Sequence, residues 1–304
     1  MLPINQLFIK VFRQKWQLGT FSIAPGAIAL FLLLILTATL QYQKISQQKT
    51  LETKIKEVGE KSKIEKKSLN KTELKHRAKL VSVRIFATVD NHEIGGSGVL
   101  IGKHNNHYLV LTNNHVVDKK NVNYKIETYT GNVYNGEIIW QNNQDLIVDD
   151  LALIGFQSEI EYQTIKISNN YSPKKNETIL ASGFPFQDNL QQSKQIKYTF
   201  GNLNQILSKP LMGGYQLGYT NNVHSGMSGG SILNLQGELI GVNGLGKFPP
   251  FGNPYIYQNG ENIPDKQAEM MTNLSWGISS QSINKLINQV KLEKNIDFEI
   301  QQVK

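Results

Sequence analysis

From Leu80 onward the chain falls into about a dozen short segments rich in β-branched and aromatic residues, separated by clusters of Gly, Asn and Asp. About a dozen short strands at this spacing, without recurrent strand–helix alternation, predict an all-β body made of barrels or a sandwich. The expected strands are 81–87, 96–101, 108–112, 125–128, 133–140, 151–154, 178–182, 195–201, 215–219, 231–235, 239–243 and 273–278. One helix is expected late in the chain, where Ser282 can cap a segment that places Ile283, Leu286, Ile287 and Val290 on one face. A chain of 304 residues, 39% of them apolar, has room for one body of roughly 200 residues and an appendage.

The appendage is expected to be a membrane anchor. Residues 21–40 carry no charge, and about 20 such residues at a rise of 1.5 Å span a hydrocarbon core of roughly 30 Å. Lys10, Arg13 and Lys15 precede the run, as they would in a cleaved signal peptide. The run is long for a signal's apolar region and no A-x-A site follows, so a retained transmembrane helix is preferred. A helix buried in the soluble body is disfavoured because the segment is apolar on every face. Lys44, Lys49, Lys54 and Lys56 beyond the span offset the three cations before it, so charge alone does not orient it. Residues 1–20 form an N-terminal segment, and 41–79, rich in Lys, Glu, Gln and Ser, read as a solvated helix or flexible tether.

The formal charge of +8 is carried by lysines concentrated before residue 80, and no basic run interleaved with aromatics marks a nucleic-acid groove. With no cysteine, disulfides and cysteine-ligated zinc are excluded. The six histidines show no HExxH or other tight ligand spacing, so no metal and no cofactor is expected.

Three motifs carry chemistry: Thr112-Asn113-Asn114-His115-Val116-Val117 after a strand, Asp149-Asp150-Leu151-Ala152-Leu153-Ile154 entering one, and Gly226-Met227-Ser228-Gly229-Gly230-Ser231 in a tight turn. A serine hydroxyl is a poor nucleophile near neutral pH, and a histidine in hydrogen-bond reach must take its proton and return it to the leaving amine. His115 fits that role, and Asp150 fits the carboxylate that holds the imidazole tautomer and stabilises the imidazolium. The Gly226 and Ser228 N–H groups would then face the developing oxyanion, with glycines where a Cβ would obstruct the turn. Each motif alone has a bland reading as a core histidine, a turn aspartate or a loop serine. Their order along the chain excludes an α/β-hydrolase, whose histidine follows the serine, because no histidine follows His224. A subtilisin order would need Asp90 as the acid, and Asp90 sits in a turn context.

TNNHVV, DDLALI and GMSGGS resemble the histidine, aspartate and serine motifs of trypsin-like, chymotrypsin-fold serine peptidases over roughly residues 80–290. Gly96-Ser97-Gly98-Val99 and the segment 237–241 are similar to the bacterial branch that includes HtrA-type proteases. The resemblance implies two six-stranded β-barrels with a C-terminal helix, the triad between them, a 291–304 tail and polypeptide substrates. With the amino terminus in the cytoplasm, the protease domain would be extracytoplasmic, periplasmic or lumenal. Ser275-Trp276-Gly277 resembles the S-W-G strand of the primary specificity pocket, and family spacing brings Asn222 and Val223 there too. Met227 stands where digestive enzymes carry the aspartate that pairs with a newly cut amino terminus, so activation by that pair is not expected. Nor is a PDZ module expected.

No acid precedes Ser228 in the pocket segment, which argues for an uncharged P1 residue over Lys or Arg. Asp149 and Asp145 compete with Asp150, but Asp149 would point to the opposite face of a strand. Ser225 and Ser231 flank Ser228 outside the G-x-S-G-G frame, and His224 reads as a loop residue. The rival to a membrane-anchored endopeptidase is a catalytically silent, membrane-tethered peptide-binding module of the same fold.

Overall fold

The computed structural model describes residues 25–61, 68–142, 149–169, 171–187, 191–249, 254–294 and 298–303. It divides into two compact units, Met1–Lys66 and Lys67–Lys304. Among the described residues of the first unit, helix α1 (Pro25–Lys61) runs through a stretch in which residues 27–58 hold neither Pro nor Gly, the two residues that most disfavour helix. Leu33, Leu34, Ile35, Leu36 and Leu40 on α1 are exposed. Among the described residues no helix is long and apolar enough to cross a membrane. The expected span 21–40 begins on residues 21–24, which lie outside the described residues.

The second unit starts upstream of the first expected strand. Helix α2 (Lys71–Val81) occupies the end of what reads as tether. Its start is a capping box: the Asn70 side chain accepts from Thr72 N at 2.9 Å and Glu73 N at 3.0 Å, and Glu73 accepts from Asn70 N at 2.8 Å. Leu74, Ala78 and Val81, spaced by four and three, are buried as one stripe, and Leu69 N donates to Leu235 O at 2.8 Å. The sequence hides this because the stripe is only three residues wide in a strongly charged segment.

The strands are β1 (Ser82–Val89), β2 (His92–His104), β3 (His107–Thr112), β4 (Lys125–Glu127), β5 (Val133–Asn135), β6 (Glu137–Gln141), β7 (Ala152–Gln157), β8 (Ile167–Ser168), β9 (Thr178–Gly183), β10 (Lys197–Ile206), β11 (Tyr215–Tyr219), β12 (Ser231–Leu233), β13 (Leu239–Leu245), β14 (Ser275–Ser279), β15 (Glu299–Ile300) and β16 (Gln302–Val303). The first sheet runs β5-β4-β1-β2-β3-β7-β6, with β15 on the edge of β2, and every pairing is antiparallel. The β1–β2 hairpin turns through Asp90 and Asn91, at φ 48° and 62°, the left-handed pair that matches strand twist. The second sheet runs β12-β9-β10-β11-β14-β13 and closes on itself through β12–β13. β8 and β16 extend it in parallel.

The expectation of two six-stranded barrels is therefore met by the second sheet, a closed ring of six, while the first is an open half-barrel. The expected strand 133–140 is split at Gly136, where a Cβ would lie 2.6 Å from Ile154 Cδ1 and the backbone N–H turns to Tyr124 O at 2.9 Å. The late helix is α4 (Ser280–Lys294), beginning two residues before Ser282, with Ile283, Leu286, Ile287 and Val290 buried as the periodicity requires. A short helix, α3 (Asp265–Thr272), precedes β14 and buries only Ala268 and Met271, too little to register as a period.

The two sheets meet along a polar seam. Ser82, Ser97 and Thr112 from the first sheet, and Ser182, Ser231 and Asn243 from the second, have no exposed surface. Each hydroxyl is hydrogen-bonded, as with Ser182 to Ser231 at 2.8 Å and Thr112 to Ser97 O at 2.7 Å, so the seam carries no desolvation penalty from unpaired hydroxyls.

Candidate active site at the seam

His115 sits in a 3-10 turn (Asn114–Val116) just past β3. Val116 and Val117, both buried, anchor the turn, while the imidazole side chain keeps 46% of its surface accessible. The turn is tied to the next strand entry by Asn113, whose amide donates to Asp150 O at 2.8 Å. Asp150 precedes β7 and faces His115 twice: Oδ2 lies 2.6 Å from Nδ1, and Oδ1 accepts the His115 backbone N–H at 2.9 Å. This contact sets the tautomer, because Nδ1 must carry the proton it shares with the carboxylate, leaving Nε2 as a base. Burial lowers the His115 pKa, but the hydrogen bond and charge of Asp150, with a smaller contribution from Asp118, outweigh it and leave the group above its usual value.

Asp149 does not compete for this place. Its carboxylate turns toward Gly214 and Gln258 Nε2, the latter at 3.4 Å, and it helps line a cavity of about 600 Å³ with Trp140, Leu151, Lys209 and Leu286. Asp145 lies outside the described residues.

Ser228 is held in a turn locked from both sheets. Ser97 N donates to Ser228 O at 2.8 Å, and Gly229 N donates to Asn243 O at 3.0 Å. Gly229 adopts φ +80°, and a Cβ there would collide with Ser97 O and Thr112 Oγ1, so the Ser228 turn abuts the end of β3, just before the turn that holds His115. Gly226 adopts φ +87°, and a Cβ there would stand 2.6 Å from Phe184 O, so only glycine fits. The Ser228 hydroxyl donates to Gly244 O at 3.0 Å. Among the described residues the Gly226 and Ser228 N–H groups have no acceptor. Met227 is fully buried in an apolar cluster with Ile179, Leu217 and Ile240, so apolar packing seats this loop.

The flanking candidates have other duties. Ser231 hydrogen-bonds Ser182 in the seam, exposed Ser225 accepts Phe186 N through its carbonyl at 2.8 Å, and His224 Nε2 lies 2.8 Å from Lys197 Nζ. Burial first, and then the Lys197 charge, lower the His224 pKa.

The expected specificity residues divide. Asn222 is exposed beside the nucleophile turn and Val223 is buried. Ser275, Trp276 and Gly277 lie within β14 and are buried, and β14 pairs with β13 through Asn243–Gly277 and Leu245–Trp276. β13 supplies the Gly244 carbonyl bound by Ser228, which puts the S-W-G tripeptide one strand away from the strand that Ser228 contacts. Trp276 donates its indole N–H to Met271 O at 3.1 Å. Ser275 holds the 221–223 segment, donating to Asn221 O at 2.8 Å and accepting Val223 N at 3.3 Å. Two parts of the site had no sequence signal: the Gly213-Gly214-Tyr215 turn, which reaches Asp150 from the second sheet, and Gln192, whose amide donates to Gly96 O at 2.7 Å and Phe184 O at 3.0 Å.

Comparison with known proteins points the same way. Residues 96–242 match the family model of the trypsin-like peptidase domain. The serine protease HTRA1 of Xenopus tropicalis is 31% identical over 160 residues, covering 49% of this chain and 31% of its own. The periplasmic serine endoprotease DegP of Escherichia coli K12 is 28% identical over 183 residues, covering 58% and 35%. The serine protease Do-like HtrA of Bacillus subtilis is 23% identical over 159 residues, covering 51% and 34%. The chain thus spans about a third of the length of these relatives. Residues 96–242, which carry the three motifs, thus match a trypsin-like peptidase domain and are similar to the HtrA and DegP serine proteases.

Proposed function

We propose that this protein is a serine endopeptidase in which Ser228 attacks the scissile carbonyl, His115 moves the proton and Asp150 holds the imidazole. The observation that carries the reading is the 2.6 Å contact of His115 Nδ1 with Asp150 Oδ2, made beside a nucleophile turn wedged against the same strand end. A turn of the Ser228 side chain away from Gly244 O releases its hydroxyl to His115 Nε2, which accepts the proton as the Oγ–carbonyl bond forms. The N–H groups of Gly226 and Ser228 then receive the oxyanion, an interaction whose loss typically costs about 3 kcal/mol in the transition state. Collapse of the tetrahedral intermediate expels the amine with the proton from His115, and water repeats the sequence on the acyl-enzyme.

Polypeptide substrates are inferred from the kinship with DegP, a serine endoprotease by name. An uncharged P1 residue is supported by the absence of a carboxylate on residues 221–228, a segment tied to β14 by the Val223–Ser275 hydrogen bond. We also propose a bilayer tether through residues 21–40. Its support is the uncharged run itself together with the exposed apolar side chains of Leu33, Leu34, Ile35 and Leu36 on α1. An extracytoplasmic site of action is supported by the kinship with DegP, which is a periplasmic protein.

Profiling the full chain against a peptide library, with and without a serine-reactive phosphonate, tests the activity and reads P1 together. Turnover that the phosphonate abolishes, with the label on Ser228, is expected. A folded protein that takes no label would support the silent peptide-binding module. Membrane fractionation with carbonate extraction tests the tether, and release into the soluble fraction would overturn it.

A further inference from the structure

Tyr215, at the start of β11, is buried, and its phenol donates to Asp150 Oδ2, the oxygen that also meets His115 Nδ1. The same turn grips the Asp150 backbone, because Asp150 N donates to Gly213 O at 2.8 Å. The turn needs its glycines. Gly213 and Gly214 adopt φ +79° and +81°, and a Cβ on Gly214 would collide with Asp149 Oδ1. The Tyr215 ring also covers Gly244, where a Cβ would run into Tyr215 Cε1, and the Gly244 carbonyl is the acceptor of the Ser228 hydroxyl. One side chain of the second sheet therefore touches both the carboxylate at one end of the constellation and the peptide unit that parks the nucleophile at the other.

We propose that Tyr215 is a positioning residue of this site, acting through Asp150 and Gly244; the assignment of its effect on turnover rests on the endopeptidase reading above. Its hydroxyl fixes the carboxylate rotamer with a third donor. It also draws negative charge off Oδ2, which limits how far Asp150 raises the basicity of His115. Burial first, then the Asp150 charge and hydrogen bond, push the Tyr215 pKa well above its usual value, so the phenol stays a donor throughout the working range. The charges acting on His115 are those of Asp150 and Asp118, and removing the phenol hydroxyl alters only the first.

The test is Tyr215→Phe in the full chain, which keeps the ring over Gly244 and deletes the donor. The expected result is a fall in kcat of about tenfold with KM unchanged, the size of one lost charge-assisted hydrogen bond. The acid limb of kcat/KM should move to higher pH, because an unshared Asp150 stabilises the imidazolium more strongly. His115 ring titration by NMR should show the same upward movement without any turnover. A fall in kcat with His115 titrating as in the parent would reduce Tyr215 to packing and overturn the proposal, as would an unchanged kcat and an unchanged titration. Should the parent neither hydrolyse peptides nor take the phosphonate on Ser228, the endopeptidase reading fails, and the NMR titration still decides whether Tyr215 is coupled to His115 through Asp150.

Discussion

For single residues, the roles assigned along the seam translate into rates and ionisations. On the proposed mechanism, Ser228→Ala is expected to lower kcat by roughly 10⁶-fold with the fold intact, as deletion of the nucleophile does in serine proteases; undiminished hydrolysis would move the nucleophile elsewhere. Asp150→Asn should cost about 10⁴-fold, because an amide at Oδ2 of Asp150 can no longer impose the Nδ1–H tautomer. The pH dependence has a definite sign. His115 is raised above its ordinary value of about 6.5, so kcat/KM should climb with pH through an ionisation above that value as the base becomes neutral. Stability should run the opposite way: the imidazolium–carboxylate contribution is complete below the unfolded pKa and is lost as pH rises through the folded one. Denaturant midpoints of parent and Asp150→Asn protein, compared across that range, would show the difference shrinking toward alkaline pH. His115, Asp150 and Ser228 were legible in the sequence because each sits in a short motif whose neighbours are as constrained as the residue itself. Tyr215 was not, because its contact with Asp150 spans 65 positions of chain and nothing local marks it.

Among the helices and strands, α2 shows how a segment that reads as tether becomes part of a folded body. Its charged residues face outward while three apolar ones are buried, and Lys71 and Lys75 lie over the rings of Phe200 and Tyr198. Asn70→Ala should destabilise the second unit by about 1 kcal/mol, the usual worth of such a cap, measurable as a lower urea midpoint with unchanged slope. A fragment of the second unit should accordingly start before Asn70; one starting near Lys75 would cut the helix and unfold less cooperatively. The strands themselves were largely legible from alternation, whereas the two-residue β8, β15 and β16 were not, since strands so short have no period and exist only because a partner edge is already there.

Across the second unit as a body, the chain end and a buried charge couple parts far apart in sequence. The final described residues cross between the sheets: Ile300 pairs with Gly102 on β2, Gln302 pairs with Ile167 on β8, and Phe298 is buried just before them. Removing residues 298–303 should cost about 2–3 kcal/mol for the phenyl burial alone, seen as a Tm several degrees lower. Arg84, buried on β1, bridges Glu93 at 2.9 Å and Glu127 at 2.6 Å, and Glu93 also accepts Gln192 N at 2.9 Å, which ties the first sheet to the loop after β9. The β class and the three residues of the proposed triad follow from the order of amino acids alone, because alternation and short motifs are local properties of the chain. Which sheet closes, which strand lies beside Ser228, and which phenol meets Asp150 emerge only on folding, because each depends on strand register and on backbones brought together across the seam.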